Sequence, residues 1–414
     1  MYDIIIIGGG ISGLNAFHKL QQQQPDKKIV LLEKNSYYGG RIFTVKDKIN
    51  GEEYTFPAGA ARFNKNHERV IKLLKEFKLL DFRKDRPFSS YIDFIDTKKQ
   101  FSMKFKNKNG YEYIDKVLKM SKPVGIEDLK KITFQELTYK ILPEDEAEFI
   151  MYASGYTGQL KNMNAYDAVN LFSTGIRTDL PYWSGKYDTL VEKMVSHVKK
   201  NGGKLLLNSN VEKVEENKDR YEIYFNTKKV IAKKIIFCLP QPALLNISYL
   251  KPIHCLLKES ITCKPLCRTY AIFKKEDIWF KDIHNKIVSN NQLRYIIPMD
   301  YERGVIMISY TDDVYTNYWK KMQDNQSKLK TEIIKLVKET FRLNINAPEK
   351  VYVCNWDCGV GYWNRNVDSE KMAAFILNPI PNIYICGENY SNNQSWVEGA
   401  LETSDKCIKL ISSS

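Results

Sequence analysis

The residues best suited to chemistry open the chain. Gly8, Gly10 and Gly13 stand at GxGxxG spacing around Gly9, Ile11 and Ser12, between the apolar run Ile4 to Ile7 and a stretch with helical spacing from Leu14 to Leu20. In such a turn the first glycine permits the bend, the second lets backbone approach a pyrophosphate, and the third lets helix pack on strand. The helix that follows points unpaired amides and the positive end of its dipole at the same place. Glu33 closes the next apolar strand twenty residues after Gly13. A carboxylate there accepts both hydroxyls of an adenosine ribose and disfavours a 2′-phosphate. Gly39, Gly40 and Arg41 come next, and small residues followed by a guanidinium suit a wrap around phosphate. The expectation is a bound dinucleotide.

A second constellation lies towards the C-terminus. Gly387 permits close backbone approach, Glu388 can take hydrogen bonds from a ribityl or phosphate-side group, and Val397 begins a helix whose amides face an electron-rich partner. Trp396 precedes that helix and Trp363 ends the run Cys358-Gly-Val-Gly-Tyr-Trp363. Two such rings offer an apolar slot with π faces for a polarisable group. Eight cysteines are scattered without a CxxC pair, HExxH is absent and the five histidines are dispersed. The CxxxC pairs Cys263/Cys267 and Cys354/Cys358 do not amount to a metal site, so no metal is expected and the cysteines read as reduced, buried thiols.

Positioning these groups requires a strand–turn–helix–strand unit within the first thirty-three residues, hence a parallel sheet buried on both faces. From about 80 to 180 the texture turns basic, aromatic and mixed, with an alternating strand at Phe101, Met103 and Phe105 and helical segments at 127–140 and 143–152. Strands follow near 204–207, 210–214, 221–225 and 234–239, then at 268–273, 293–298 and 304–310, a helix near 325–341, and a last strand at 382–386.

Four separated pieces, in order, resemble the flavin-containing amine oxidase family of monoamine, polyamine and L-amino acid oxidases. They are the glycine turn with Glu33, the Gly39-Gly40-Arg41 element, the stretch from Trp183-Ser-Gly-Lys to Leu239-Pro240, and Gly387-Glu-Asn-Tyr-Ser-Asn-Asn-Gln-Ser-Trp-Val-Glu-Gly-Ala400. The resemblance implies an α/β fold: a Rossmann-like FAD-binding domain of GR2 type, with an interleaved α+β substrate domain built on a mixed sheet and helices. The expected FAD-binding domain is discontinuous, 1–78, 184–256 and 355–414; the substrate domain takes 79–183 and 257–354. FAD would contact Gly59, Ala60, Ala61 and Arg62 as well as the two constellations above, and Val211 would meet the adenine through backbone groups. Trp363 and Trp396 match the aromatic pair that sandwiches the substrate amine. Arg62, in Pro57-Ala-Gly-Ala-Ala-Arg62-Phe63, matches the carboxylate-binding arginine of L-amino acid oxidases, with Tyr295 as a second carboxylate ligand. Tyr362 occupies the position where some members attach flavin through cysteine, so non-covalent FAD is expected. Thr269 aligns where many members hold a lysine that assists reoxidation by oxygen. The implied reaction moves a hydride from the carbon bearing an amine, of a simple amine or an L-amino acid, to flavin, with hydrogen peroxide formed if oxygen is the acceptor. The missing lysine keeps two alternatives open: a desaturase or dehydrogenase with another electron acceptor, and a catalytically weakened flavin-binding structural or interaction protein.

Bulk properties narrow the remaining classes. At 414 residues, 43% hydrophobic and 27% charged, the chain exceeds one compact core and is no disordered chain. No apolar run reaches the ~20 residues of a membrane span, and the opening strand lacks the form of a secretory signal, so a cytoplasmic protein is expected, in a virus-infected host's cytoplasm or a virion included. The net charge of +14 invites a polyanion. The lysines at 98, 99, 104, 106 and 108 cluster, yet no aromatic-basic motif supports nucleic acid. The surplus reads as a solvated surface that steers anions or meets an acidic protein partner, with a homodimer also open.

Overall fold

The computed structural model describes residues 1–85, 87, 91–176 and 180–413. The strand Tyr2–Ile7 pairs in parallel with Ile29–Leu32 on one side and with the end of Lys228–Phe237 on the other. Lys204–Leu206 extends this sheet beyond Ile29–Leu32, and Ile383–Ile385 joins it beside Lys228–Phe237, both in parallel. Val211–Asn217, Arg220–Phe225 and Lys228–Phe237 form an antiparallel meander at the other edge.

The four isoleucines explain why the first strand is central. Ile4 and Ile6 face the helices Ile11–Gln23, Tyr187–Lys200 and Val397–Ser413, while Ile5 and Ile7 face the opposite layer with Leu244, Leu257 and Trp363. All four are buried, so every side chain of the run is spent on packing rather than on a wet face.

A second sheet has six strands: Lys350–Trp363, Ile261–Ile272, Val305–Asp312, Tyr295–Asp300, Lys286–Ser289 and Ile92–Ile95, in that order. Helices between Gly110 and Thr174 pack on one of its faces through Tyr111, Ile150 and Phe172. The strand Lys350–Trp363 runs unbroken across the expected boundary at 354/355 and forms an antiparallel pair with Ile261–Ile272 along its length. Among the described residues, no helix is long and apolar enough to cross a membrane.

Two expectations are corrected here. Phe101, Met103 and Phe105 form no strand; Met103–Phe105 is a single 3₁₀ turn. The alternation serves a local cluster instead, with Phe101 and Phe105 at 5.2 and 4.4 Å from the Phe149 ring while Met103 is exposed. The cysteines are not all thiols: Cys263 and Cys358, one from each CxxxC pair and on neighbouring strands, form a disulfide, and the other six are free.

Candidate active site

The glycine turn and the Gly39–Arg41 element meet as a single surface. Gly39 donates its backbone N–H to the Gly9 carbonyl at 2.8 Å, and Gly10 bridges to Gly39. A Cβ on Gly13 would lie 2.0 Å from the Gly8 carbonyl oxygen, so only glycine allows this helix its approach to the strand. A Cβ on Gly10 would meet no protein atom nearer than 4.0 Å. The space it would fill therefore belongs to something other than the chain, beside the N-terminus of Ile11–Gln23, where no side chain caps the amides.

Glu33 sits at the other end of this cradle. Its Oε2 accepts the Gly9 N–H at 2.7 Å and its Oε1 accepts the Asn35 N–H at 2.8 Å, which fixes a buried carboxylate beside the turn. Ser209 donates its N–H to the Glu33 carbonyl, bringing half-buried Val211 to this end of the cradle. Ile11 and Ser12 are buried in the first helical turn, where the Ser12 carbonyl accepts the Ser404 hydroxyl of the C-terminal helix. These features fit the adenosine and pyrophosphate of FAD.

Glu388 lies buried beside Arg41. Its carboxylate already accepts from Arg41 Nη1 at 2.7 Å, Asn389 Nδ2 at 2.9 Å, the Gly361 N–H at 3.2 Å and the Ser395 N–H at 2.7 Å. With four donors from the chain it serves as a clamp, holding Arg41 against the Lys350–Trp363 strand and the turn before the last helix. Arg41 also donates to the Gly359 carbonyl at 2.9 Å. The 58–61 segment is laced to the same region: Ala60 donates to the Arg41 carbonyl, Gly59 would place a Cβ 1.8 Å from that carbonyl oxygen, and Gly185 donates to the Ala61 carbonyl.

Arg62 begins the short strand Arg62–Asn64, paired antiparallel with Tyr182–Ser184. Its guanidinium lies 5.1 Å from the Tyr182 ring centroid, and no carboxylate among the described residues is within ion-pair distance of it. The rings of Tyr156, Tyr182, Tyr310 and Tyr295 surround it and hold its proton more firmly against the opposing cost of burial. Trp396 stacks on Tyr182 and touches His67, with ring centroids 6.1 and 4.6 Å apart. Burial pushes His67 down to about 4, so it is a neutral ring at physiological pH. The indole Nε1 of half-buried Trp396 has no hydrogen-bond partner among the described residues. That nitrogen faces Gly175, where an added Cβ would lie 2.7 Å from it.

The structure separates two expected residues from this group. Trp363 is fully buried in the layer under the first sheet, its Nε1 donating to the Ser391 carbonyl at 3.0 Å. Its neighbour Tyr362 points the other way, into the cluster with Tyr295, Tyr310 and Trp396. Thr269 is likewise fully buried with its hydroxyl unpartnered, whereas Arg268 reaches over the Tyr310 ring at 4.6 Å and donates to the Pro57 carbonyl at 3.1 Å. In a strand, adjacent residues face opposite ways, so Arg268 rather than Thr269 is the group at the 57–62 segment. Tyr295 lies within the cluster, but its hydroxyl donates to the Ser154 carbonyl and bonds the Tyr111 hydroxyl at 2.8 Å. Its ring lies beside Tyr156, 4.7 Å away. Sequence reasoning passed over Tyr182 and Lys286, the latter with its ammonium 5.4 Å from the Tyr182 ring, and gave Tyr362 and Arg268 no part in holding substrate. Tyr182 lay next to the motif Trp183-Ser-Gly-Lys, whereas Lys286 lay beside none.

Fold and site together define a flavoprotein of mixed α/β architecture, with a dinucleotide cradle on one sheet and an aromatic cluster bearing two arginines and a lysine against the other. A profile described as flavin containing amine oxidoreductase matches residues 11–407, and the chain belongs to that family. Membership implies a flavin cofactor and an oxidoreductase acting on small-molecule amines. The chain is 20% identical to uncharacterized protein R188 of Acanthamoeba polyphaga mimivirus over 98% of its own length and 93% of that protein's. It is 33% identical to amine oxidase [flavin-containing] A of Equus caballus over 84 residues, 20% of this chain and 15% of that one. Its fold matches wild-type putrescine oxidase bound to putrescine with a TM-score of 0.78 at 16% identity, covering 100% of this chain and 99% of that one. Cyclohexylamine oxidase from Brevibacterium oxydans matches at 0.75 and 14% identity, with the same coverage.

Proposed function

We propose that this protein binds FAD non-covalently and oxidises the carbon that bears an amine and, beside it, a carboxylate, as in an L-amino acid. The observation that carries the reading is Arg62: a guanidinium held over Tyr182 at 5.1 Å, with no acidic partner among the described residues, beside the Trp396 ring that stacks on Tyr182.

FAD, when bound, supplies a two-electron acceptor for the hydride that leaves carbon. The chain contributes the rest. Arg62 pairs with the substrate carboxylate in a two-pronged fork, and Trp396 with Tyr182 fixes the orientation of the amine-bearing carbon. The substrate amine reacts in its neutral form: loss of hydride from carbon and a proton from nitrogen leaves an imine, which water hydrolyses to a carbonyl and ammonia. Arg268, bonded to the Pro57 carbonyl, takes the place we assign to assisting reoxidation by oxygen, with peroxide as the product. Tyr362 offers no thiol for attachment, which supports dissociable cofactor.

Product analysis tests this reading. Aerobic incubation with a panel of L-amino acids should release equal amounts of a 2-oxo acid, ammonia and peroxide, and acid precipitation should leave the yellow flavin in the supernatant. Amines without a carboxylate turning over as well as amino acids would remove the role of Arg62, and flavin retained on the precipitate would remove non-covalent binding.

A further inference from the structure

Lys286 is the first residue of the strand Lys286–Ser289, which pairs in parallel with Ile92–Ile95. Its ammonium lies 5.4 Å from the centre of the Tyr182 ring, and the Arg62 guanidinium lies 5.1 Å from the same centre. One aromatic ring is thus shared by two basic side chains, and its other neighbour is Trp396, stacked at 12°. Neither Lys286 nor Arg62 has an acidic side chain within ion-pair distance among the described residues. This is unlike most lysines of this chain that sit near another element: Lys116 pairs with Glu146, Lys264 with Asp313 and Lys350 with Asp47.

Such an arrangement is costly. Burial and the nearby Arg62 charge push Lys286 down to about 6, the response of an ammonium that has lost water and gained no anion. Arg62 is the charged group whose field acts on it. Asp93, on the adjacent strand, is engaged by Asn285 Nδ2 at 2.9 Å. A charge perturbed by burial together with a specific neighbouring charge is a functional-site candidate, and a ligand carrying negative charge removes the cost by restoring the proton and pairing it.

We infer that Arg62 and Lys286 are the two ends of a dianion site, and that the substrate is an amine bearing two acidic groups, an acidic amino acid being the simplest. This rests on the amine-oxidation reading and specifies its substrate class. Arg62, a planar fork, takes the carboxylate next to the amine. Lys286, a compact charge on a flexible stem, takes the second acidic group on its own side of Tyr182, at the end remote from the reacting carbon. Neutral and basic side chains would leave Lys286 unpaired and, for a basic one, add a third positive charge.

The test uses holoenzyme and two ligands without an amine, so that binding is read apart from turnover. Glutarate and pentanoate have the same chain length and differ in one carboxylate. Calorimetric titration should give glutarate at least about tenfold the affinity of pentanoate, roughly the value of one charge-assisted hydrogen bond. Lys286→Met should bring glutarate down to the pentanoate level and leave pentanoate unchanged, and Lys286→Arg should keep the preference. The flavin spectrum and melting temperature of each variant report whether it is folded. Equal binding of the two acids by the wild-type protein, or a preference that survives in folded Lys286→Met, overturns the proposal. Anaerobic mixing then separates the two levels of the argument. Bleaching by L-glutamine or L-leucine as fast as by L-glutamate overturns the substrate class and leaves amine oxidation standing. Selective glutarate binding with no bleaching by any amine overturns amine oxidation and leaves the dianion site.

Discussion

Trp396 and Tyr182 lie ring over ring, with centroids 6.1 Å apart and planes 12° from parallel. Each arrives by a different route: Tyr182 from a short strand paired with Arg62–Asn64, Trp396 from the turn that Glu388 ties down through the Ser395 N–H. Their contact therefore joins the strand pair Arg62–Asn64 and Tyr182–Ser184 to the last helix, and the proposed role of Trp396 is one of position, separable from cofactor binding.

Trp396→Ala should consequently keep FAD and lose turnover. Removing one ring frees both Tyr182 and the substrate, and a displacement of about 1 Å at the reacting carbon is worth about a hundredfold in rate. Steady-state kinetics beside the flavin absorbance of the purified variant checks this. Unchanged kcat/KM would place Trp396 outside the site and favour a non-catalytic flavoprotein.

Two glycines in one turn should behave in opposite ways. Gly10→Ala adds a methyl that meets no protein atom nearer than 4.0 Å, whereas Gly13→Ala drives one into the Gly8 carbonyl at 2.0 Å. Gly10→Ala should fold with a melting temperature close to that of the wild-type apoprotein and bind FAD at least about tenfold more weakly, because the methyl occupies space that the pyrophosphate needs. Gly13→Ala should lose stability even without cofactor, by about 1–3 kcal/mol, the range for overpacking. Thermal melts of the apoproteins and fluorescence titration with FAD distinguish them.

The nucleotide cradle was legible in the sequence because its parts are consecutive: turn, helix, acid and second turn fall within the first forty-one residues, and each glycine answers a local steric demand. The aromatic cluster was not, for a reason visible in two residues. Trp363 was expected where Tyr362 points and Thr269 where Arg268 reaches. Both lie in the antiparallel pair Ile261–Ile272 and Lys350–Trp363, which is bulged between Lys264 and Leu266, and Ile261–Ile272 is bulged again against Val305–Asp312, between Thr269 and Tyr270. A bulge changes which residues share a face, and a slip of one residue exchanges the two faces of a strand. Lys286 was missed differently. Nothing beside it in sequence is unusual, and only tertiary structure brings it to Tyr182.

Stability should depend on pH through Lys286. Its folded value, about 6, lies below the ordinary 10.5, so between those limits the unfolded chain holds more protons and stability rises with pH across the window. The penalty is complete below pH 6 and absent above pH 10.5. Lys286→Met should therefore raise the melting temperature most at pH 6 and below, with the gain fading as pH approaches 10. A gain independent of pH would mean that Lys286 is not held against its charge.

The central claim, flavin-linked oxidation of an amine bearing a carboxylate, is tested most directly by anaerobic titration of the purified holoenzyme with L-amino acids, followed through the flavin absorption band. The account predicts that the band bleaches with one equivalent of substrate per flavin, and that Arg62→Met keeps its flavin but needs at least about tenfold more substrate for the same bleaching, the cost of a charge-assisted pair. A band that stays oxidised with every amino acid, polyamine and arylalkylamine offered, in a protein that retains its flavin, would contradict it.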